Sequence, residues 1–144
     1  MSSNKKPSKS YQKGKVIAGA NMPIPASKRR EVATKALMAV QALRDEFYST
    51  QIGLELILFL TGCRKFLSGN KEAEAFLAES FKILNRVKDT HSATGKWSIS
   101  SSDLAQLSAV VSSCVELYES MTRGQATEAT MYAEKILCER LSAV

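Results

Sequence analysis

Apolar side chains recur at helical spacing from residue 26 onward, and this periodicity constrains the fold more than any other feature of the sequence. No segment shows sustained alternation of apolar and polar residues flanked by turn pairs, which is the pattern typical of strands. The sequence therefore predicts an all-α fold, a compact antiparallel bundle of about five helices. The predicted helices span residues 27–49, 51–68, 71–88, 102–123 and 125–142.

The second predicted helix is apolar nearly all round, with Glu55 as the lone charge in its middle. A helix of this kind is buried, and its apolar run of about twelve residues is too short for a membrane span, which needs about 20. We therefore predict a central core helix and no membrane contact. Glu55 is either buried and then paired or protonated, or it reaches the surface. Four residues represent the predicted core: Ile57, Leu60, Phe76 and Leu107.

Local signals place the ends of several helices. Ser27 is the predicted N-cap of the first helix, Gly69 and Asn70 separate the second from the third, and Gly124 caps the fourth. The polar stretch 89–101 is predicted to be a loop. It holds Trp97, whose large apolar surface predicts either a lid folded back over the bundle or an anchor for a partner.

The net charge of +6 belongs entirely to the beginning of the chain. Residues 1–30 carry eight cations and no acidic residue, whereas residues 31–144 carry 12 cations against 14 acidic residues. The first 25 residues add Ser, Gly and Pro and lack sustained apolar periodicity, so they offer little burial to offset ordering entropy. We expect a flexible, disordered basic arm over residues 1–25 and a single helical domain over residues 26–144.

Basic N-terminal arms commonly bind nucleic acid, because each neutralised phosphate releases counterions. The sequence favours a nucleic-acid-binding accessory or assembly protein that contacts the phosphate backbone of DNA or RNA without sequence specificity. In the alternative interpretation the arm only solubilises, and the helical surface binds another protein as an adaptor or regulator. The predicted phosphate contacts are Lys5, Lys6, Lys9, Lys13, Lys15, Lys28, Arg29 and Arg30.

The residues that carry catalysis or bind metals do not form recognisable motifs. Cys63, Cys114 and Cys138 include no CxxC pair, and we expect reduced core thiols. His91 is the only histidine and is predicted to lie solvated in the loop. An enzymatic site assembled from a cysteine and His91 is the least favoured hypothesis. We therefore predict a protein that is not an enzyme, without cofactor, metal or small-molecule substrate.

The sequence also allows predictions about the location of the protein in the cell and about its self-association. The apolar stretch 16–20 is too short for a secretory signal, which favours a cytoplasmic protein, or a nuclear one if the source is eukaryotic. Several apolar residues lie off the main helical stripes, and such a surplus usually marks a partner surface. We therefore expect a homo-oligomer, most simply a two-fold homodimer. The residues concerned are Leu37, Met38, Phe81, Val115 and Met131.

Overall fold

Five α-helices make up most of the structure, a computed structural model that describes residue 19 and residues 21–142. No strand occurs among these residues, and an isolated antiparallel bridge joins Pro23 to Thr122. The predicted all-α bundle is confirmed. The helices are α1 (Ala26–Arg44), α2 (Thr50–Leu67), α3 (Lys71–Thr94), α4 (Ser101–Glu119) and α5 (Arg123–Ser142).

The second helix lies at the centre of the bundle, as predicted. It packs against all four other helices, most extensively against α5, while α1 packs chiefly on α4. Leu60 on α2 and Leu107 on α4 are completely buried, which confirms two of the four predicted core positions. Ile57 is only half-buried. Phe76 is 41% exposed, so its prediction as a core residue is wrong.

The helix α3 exposes Phe76 because a different stripe of that helix faces the core. The buried positions of α3 include a serine whose hydroxyl bonds within its own helix, so that no polar group is left unpaired there. The phenyl ring of Phe76 lies on the adjoining face and is left at the surface. The buried residues of α3 are Leu77, Ser80, Ile83, Leu84 and Val87.

The first helix ends five residues earlier than predicted. Glu46 adopts a left-handed conformation with φ of 62°, and the Phe47 amide donates to the Ala42 carbonyl at 2.9 Å. These two features are typical of a Schellman stop, in which glycine usually supplies the left-handed residue. Phe47 consequently leaves the helical stripe and is 54% exposed, whereas Tyr48 is buried in the following loop.

The third helix continues through part of the predicted loop and ends at Thr94. The Thr90 hydroxyl donates to the Arg86 carbonyl at 2.9 Å, and the Thr94 hydroxyl donates to the Thr90 carbonyl at 2.7 Å. Bonding of this kind lets threonine side chains satisfy their polar groups within a helix. Gly95, with φ of 79°, provides the left-handed residue that ends α3.

Other helix ends agree only in part with the prediction. The Asn70 side chain caps α3, accepting from the Ala73 amide at 3.1 Å. The N-cap of α1 is Pro25, without a side-chain hydrogen bond, so Ser27 is not the cap. Gly124 also does not end a helix, because α4 already ends at Glu119 and Gly124 lies in the first turn of α5.

The last residues of the predicted arm contact the bundle. The Arg123 amide donates to the Met22 carbonyl at 2.9 Å, and Ile24 is only 4% exposed. A burial of this extent offsets part of the entropy lost on ordering these residues. Residues 1–18 and residue 20 lie outside the described residues, so the predicted flexibility of the arm stays a prediction.

A bidentate ion pair joins α3 to α4. Arg86 donates through Nη2 to Asp103 Oδ1 at 2.8 Å and through Nε to Oδ2 at 3.0 Å. Hydrogen bonding from Arg86 holds the pKa of the Asp103 carboxyl below its usual value. The pair therefore stabilises the folded state only while that carboxyl is ionised.

We expect Asp103→Asn to lower the melting temperature at pH 7 by an amount on the order of 2 °C, since the pair is solvent-exposed. The lowered pKa makes the contribution complete above about pH 4 and progressively lost as the pH falls further. Thermal melts of both proteins between pH 2 and pH 7 should converge at the acidic end. A difference that persists undiminished at pH 2 would show that the asparagine acts through something other than the ion pair.

Candidate functional site

Of the eight predicted phosphate contacts, those that the structure describes lie at the beginning of α1. Lys28 and Arg30 are exposed and Arg29 is half-buried, whereas Lys5, Lys6, Lys9, Lys13 and Lys15 lie outside the described residues. Arg29 Nε is shielded from solvent and has no hydrogen-bond acceptor within the described part of the chain. The structure thus describes three of the eight predicted phosphate contacts, in consecutive positions of one helix.

Arg123, which sequence reasoning missed, joins these residues from the far end of the chain. Its amide donates to the Met22 carbonyl at 2.9 Å, and its Nε donates to the Pro23 carbonyl at 3.3 Å. The first turn of α5 therefore contacts the segment that precedes α1, and Arg123 lines the same cavity as Lys28. We call Lys28, Arg29, Arg30 and Arg123 the basic corner.

The helix dipoles add positive potential to the basic corner. Neither α1 nor α5 has an acidic residue in its first turn, whereas Glu72 and Glu74 begin α3 and Asp103 begins α4. Carboxylates stabilise a helix N-terminus and cations there are unfavourable. The helix dipole therefore does not favour the cations of the basic corner, and the positive potential that they add to it is suited to an anion.

Glu31 partly neutralises one side of α1. Its carboxylate lies 3.8 Å from the Lys28 ammonium and 3.6 Å from the Lys35 ammonium. All three side chains are more than half exposed, so water screens both ion pairs and each pair is weak. Arg29 and Arg30 form no ion pair within residues 21–142.

Two adjoining cavities form an apolar groove along α1 and α2, which we call the α1–α2 groove. Their volumes are about 600 and 380 Å³, and both are lined by Val32, Leu58 and Phe59. Two exposed side chains flank the groove, Met38 at 55% and Met131 at 63%. The groove thus offers a continuous apolar surface.

A second groove of about 750 Å³ lies between α3 and α4, and we call it the α3–α4 groove. The exposed ring of Phe76 lies against it, with Glu72 and Glu79 in the same lining. It shares no lining residue with the α1–α2 groove among the described residues. The α1–α2 groove carries the cations Lys28, Lys35 and Arg123 with one carboxylate, Glu55, whereas the α3–α4 groove carries the carboxylates Glu72 and Glu79.

The predicted surplus of apolar side chains is partly internal. Leu37, Met38 and Met131 are between 47% and 63% exposed, in agreement with the prediction. Val115 is 7% exposed and Phe81 is half-buried, so these two pack within the bundle and do not contribute to a surface. The exposed members lie on α1 and α5.

Within residues 21–142, no hydrogen bond joins a cysteine to His91. Cys63 donates through Sγ to the Cys114 carbonyl at 3.7 Å in the core, which agrees with predicted core thiols, whereas Cys138 is exposed. Contact with Cys114 and burial both raise the pKa of the Cys63 thiol, so it is protonated at neutral pH. Residues 21–142 hold no cluster of three or more side chains of metal-ligating type.

Trp97 folds back onto the bundle, as one of its two interpretations predicts. Its ring stacks on His91 with centroids 3.7 Å apart and meets Tyr48 edge-on at 5.2 Å. The prediction of a solvated loop histidine is wrong, because His91 lies in the last turns of α3 beneath this ring. Burial raises the pKa of Tyr48 to about 12.

Glu55 reaches the surface, which confirms the second of its two interpretations. Its carboxylate accepts from Gln51 Nε2 at 3.2 Å, one turn earlier on the same helix. The central helix thus keeps one polar strip in contact with water, and no buried charge needs a partner there.

Comparison with known proteins gave no relative. No family model matches the sequence, no curated protein matches it, and no solved structure matches its fold. Within the described part of the chain, none of the helices combines the length and apolarity that crossing a membrane requires.

Proposed function

We propose that this protein is a non-enzymatic, nucleic-acid-associated assembly protein whose basic arm and basic corner contact the phosphate backbone. The observation that carries the proposal is the position of Arg123, which bonds to the segment that joins the arm to α1 and lines the same cavity as Lys28. Lys28, Arg29 and Arg30 lie near the N-terminus of α1, and the five lysines of the arm precede them in the sequence.

The chemistry of this region suits a polyanion without sequence specificity. Lysine and arginine contacts to phosphate position a protein on nucleic acid, whereas base contacts are needed to specify a sequence. The only aromatic residue within residues 1–25 is Tyr11, so stacking on several bases is not part of the proposal. We expect binding of DNA and RNA with similar affinity and a strong dependence on salt.

Fluorescence anisotropy with a labelled DNA duplex and a labelled single-stranded RNA tests the proposal. We expect the logarithm of the binding constant to fall linearly with the logarithm of salt, by roughly 0.9 per neutralised phosphate on duplex DNA. Replacing Lys5, Lys6, Lys9, Lys13 and Lys15 by glutamine should reduce this slope and weaken binding by at least about tenfold at low salt. A second variant, Arg30→Gln with Arg123→Gln, measures the contribution of the basic corner.

The matched control is Lys88→Gln with Lys135→Gln, which removes two exposed cations outside the basic corner. This control should bind more tightly than the corner variant, which carries the same net charge. An unchanged slope after neutralisation of the arm would refute its role, and a wild-type protein that binds neither probe at low salt would refute the function.

A protein-binding function is the second candidate, and the α1–α2 groove favours it. Met38, Phe47 and Met131 each expose more than half of their surface, and exposed apolar patches usually mark interaction sites. An apolar groove between two helices also suits a partner helix that inserts its apolar face. Retention of a partner after nuclease treatment, without dependence on the arm lysines, would favour this candidate over the first.

A further inference from the structure

The exposed face of α1 repeats a simple pattern along the α1–α2 groove. Lys28, Val32 and Lys35 occupy positions i, i+4 and i+7, so they lie on one side of the helix. All three line the groove, with the apolar Val32 between the two ammonium groups. Seven residues of helix rise about 10.5 Å, which sets the axial separation of the two Cα atoms. The two ammonium groups lie closer together than this, because both pair with the carboxylate of Glu31.

The exposed face of α3 repeats the same pattern with the opposite charge. Glu72, Phe76 and Glu79 also occupy positions i, i+4 and i+7, and all three line the α3–α4 groove. Their Cα atoms therefore lie about 10.5 Å apart along α3, with Phe76 between them. The Glu79 carboxylate pairs with the Lys82 ammonium at 3.6 Å, an exposed pair that docking would have to compete with. The two faces match in spacing and in the position of the apolar residue, and they are opposite in charge.

Burial supports different roles for the two apolar residues in this pattern. Phe76 is 41% exposed on α3, whereas Val32 is half-buried and lines the α1–α2 groove together with Leu58 and Phe59. An exposed ring and an apolar groove supply the burial that drives helix-in-groove binding. Complementary charges on either side then fix the register and increase the association rate.

We propose that a second copy of this chain occupies the α1–α2 groove, inserting Phe76 beside Val32 and placing its Glu72 and Glu79 on Lys28 and Lys35. The equal spacing allows both parallel and antiparallel pairing of the two helices. When two copies make this contact reciprocally, they form a two-fold dimer. When each copy makes it with a different neighbour, the copies form a closed ring or an open chain.

Glu31 acts as an internal competitor of the neighbouring copy. In the free protein its single carboxylate pairs with both lysines, at 3.8 and 3.6 Å. Docking exchanges these two pairs for pairs with two separate carboxylates, which leaves Glu31 without its partners. Removing the charge of Glu31 should therefore strengthen association.

The contact leaves other cations available for phosphate. Arg30 lies two residues beyond Lys28 and points about 200° away around α1, since successive helical residues turn by about 100°. The assembly proposal does not depend on the arm. It is therefore tested on protein treated with nuclease, and its failure would leave the nucleic-acid proposal untouched.

Charge reversal with light scattering tests the contact. One variant carries Lys28→Glu with Lys35→Glu, and the other carries Glu72→Lys with Glu79→Lys. We expect the wild-type mass to rise above 15.8 kDa over a concentration series, and each variant alone to remain monomeric at concentrations where the wild type assembles. An equimolar mixture of the two variants should assemble again, because each reversed face then meets a complementary one.

Two further variants make the result specific. Glu31→Gln should lower the concentration of half-assembly at least about twofold, whereas Lys88→Glu with Lys135→Glu should assemble like the wild type. The proposal is overturned if the wild type remains at 15.8 kDa up to millimolar concentration. It is overturned equally if the reversed variants assemble like the wild type, or if their mixture stays monomeric.

Discussion

Leu60→Ala is expected to lower the free energy of unfolding by about 3–5 kcal/mol, measured by urea denaturation followed by circular dichroism. Leu60 is completely buried in the central helix, which packs against all four other helices. Truncation removes three buried carbon atoms, and a site enclosed by several helices collapses poorly around the cavity that is left. The cost should therefore lie near the upper end of the usual range.

The matched control for this substitution is Leu54→Ala on the same helix. Leu54 is 37% exposed, so its truncation removes less buried surface and leaves no enclosed cavity. We expect a loss of about 1 kcal/mol or less, because alanine also has the higher helix propensity. If both variants lost the same stability, α2 would not be the centre of the bundle.

Helical periodicity was sufficient to predict the five helices and the central position of α2, because each amphipathic helix must bury its apolar stripe. The end of α1 could not be predicted, since Glu46 takes the left-handed position that glycine usually marks, and the buried Tyr48 that follows meets Trp97, which is distant in the sequence. The extension of α3 also depends on tertiary contact, because His91 stacks on that same ring.

The charged part of the candidate site was predictable to a similar degree. The basic run Lys28, Arg29 and Arg30 can be read directly from the sequence. The position of Arg123 beside the segment that precedes this run depends on tertiary contacts with Met22 and Pro23. Phe76 was wrongly predicted as core, because periodicity marks two adjoining stripes on α3 without saying which one faces inward.

Close approach of two helix backbones is a further feature that composition does not reveal. Gly62 lies on α2 where that helix meets α5, and a Cβ at this position would come within 3.0 Å of the Ala129 carbonyl oxygen. The atom in the way belongs to the backbone of a helix, which cannot yield as a flexible side chain can. Glycine at this position therefore allows the most extensive helix contact in the bundle.

Gly62→Val is accordingly expected to destabilise the protein by about 3 kcal/mol, although replacing glycine in an unobstructed helix normally stabilises it. Gly62→Ala should fall between this variant and the wild type, because about 1 kcal/mol of helix propensity opposes a smaller clash. Ser112→Val, at an exposed position of α4, serves as the control and should change stability by no more than about 0.5 kcal/mol. Urea denaturation of the wild type and the three variants gives their free energies of unfolding. A Gly62→Val protein as stable as the wild type would mean that α2 and α5 do not pack at this distance.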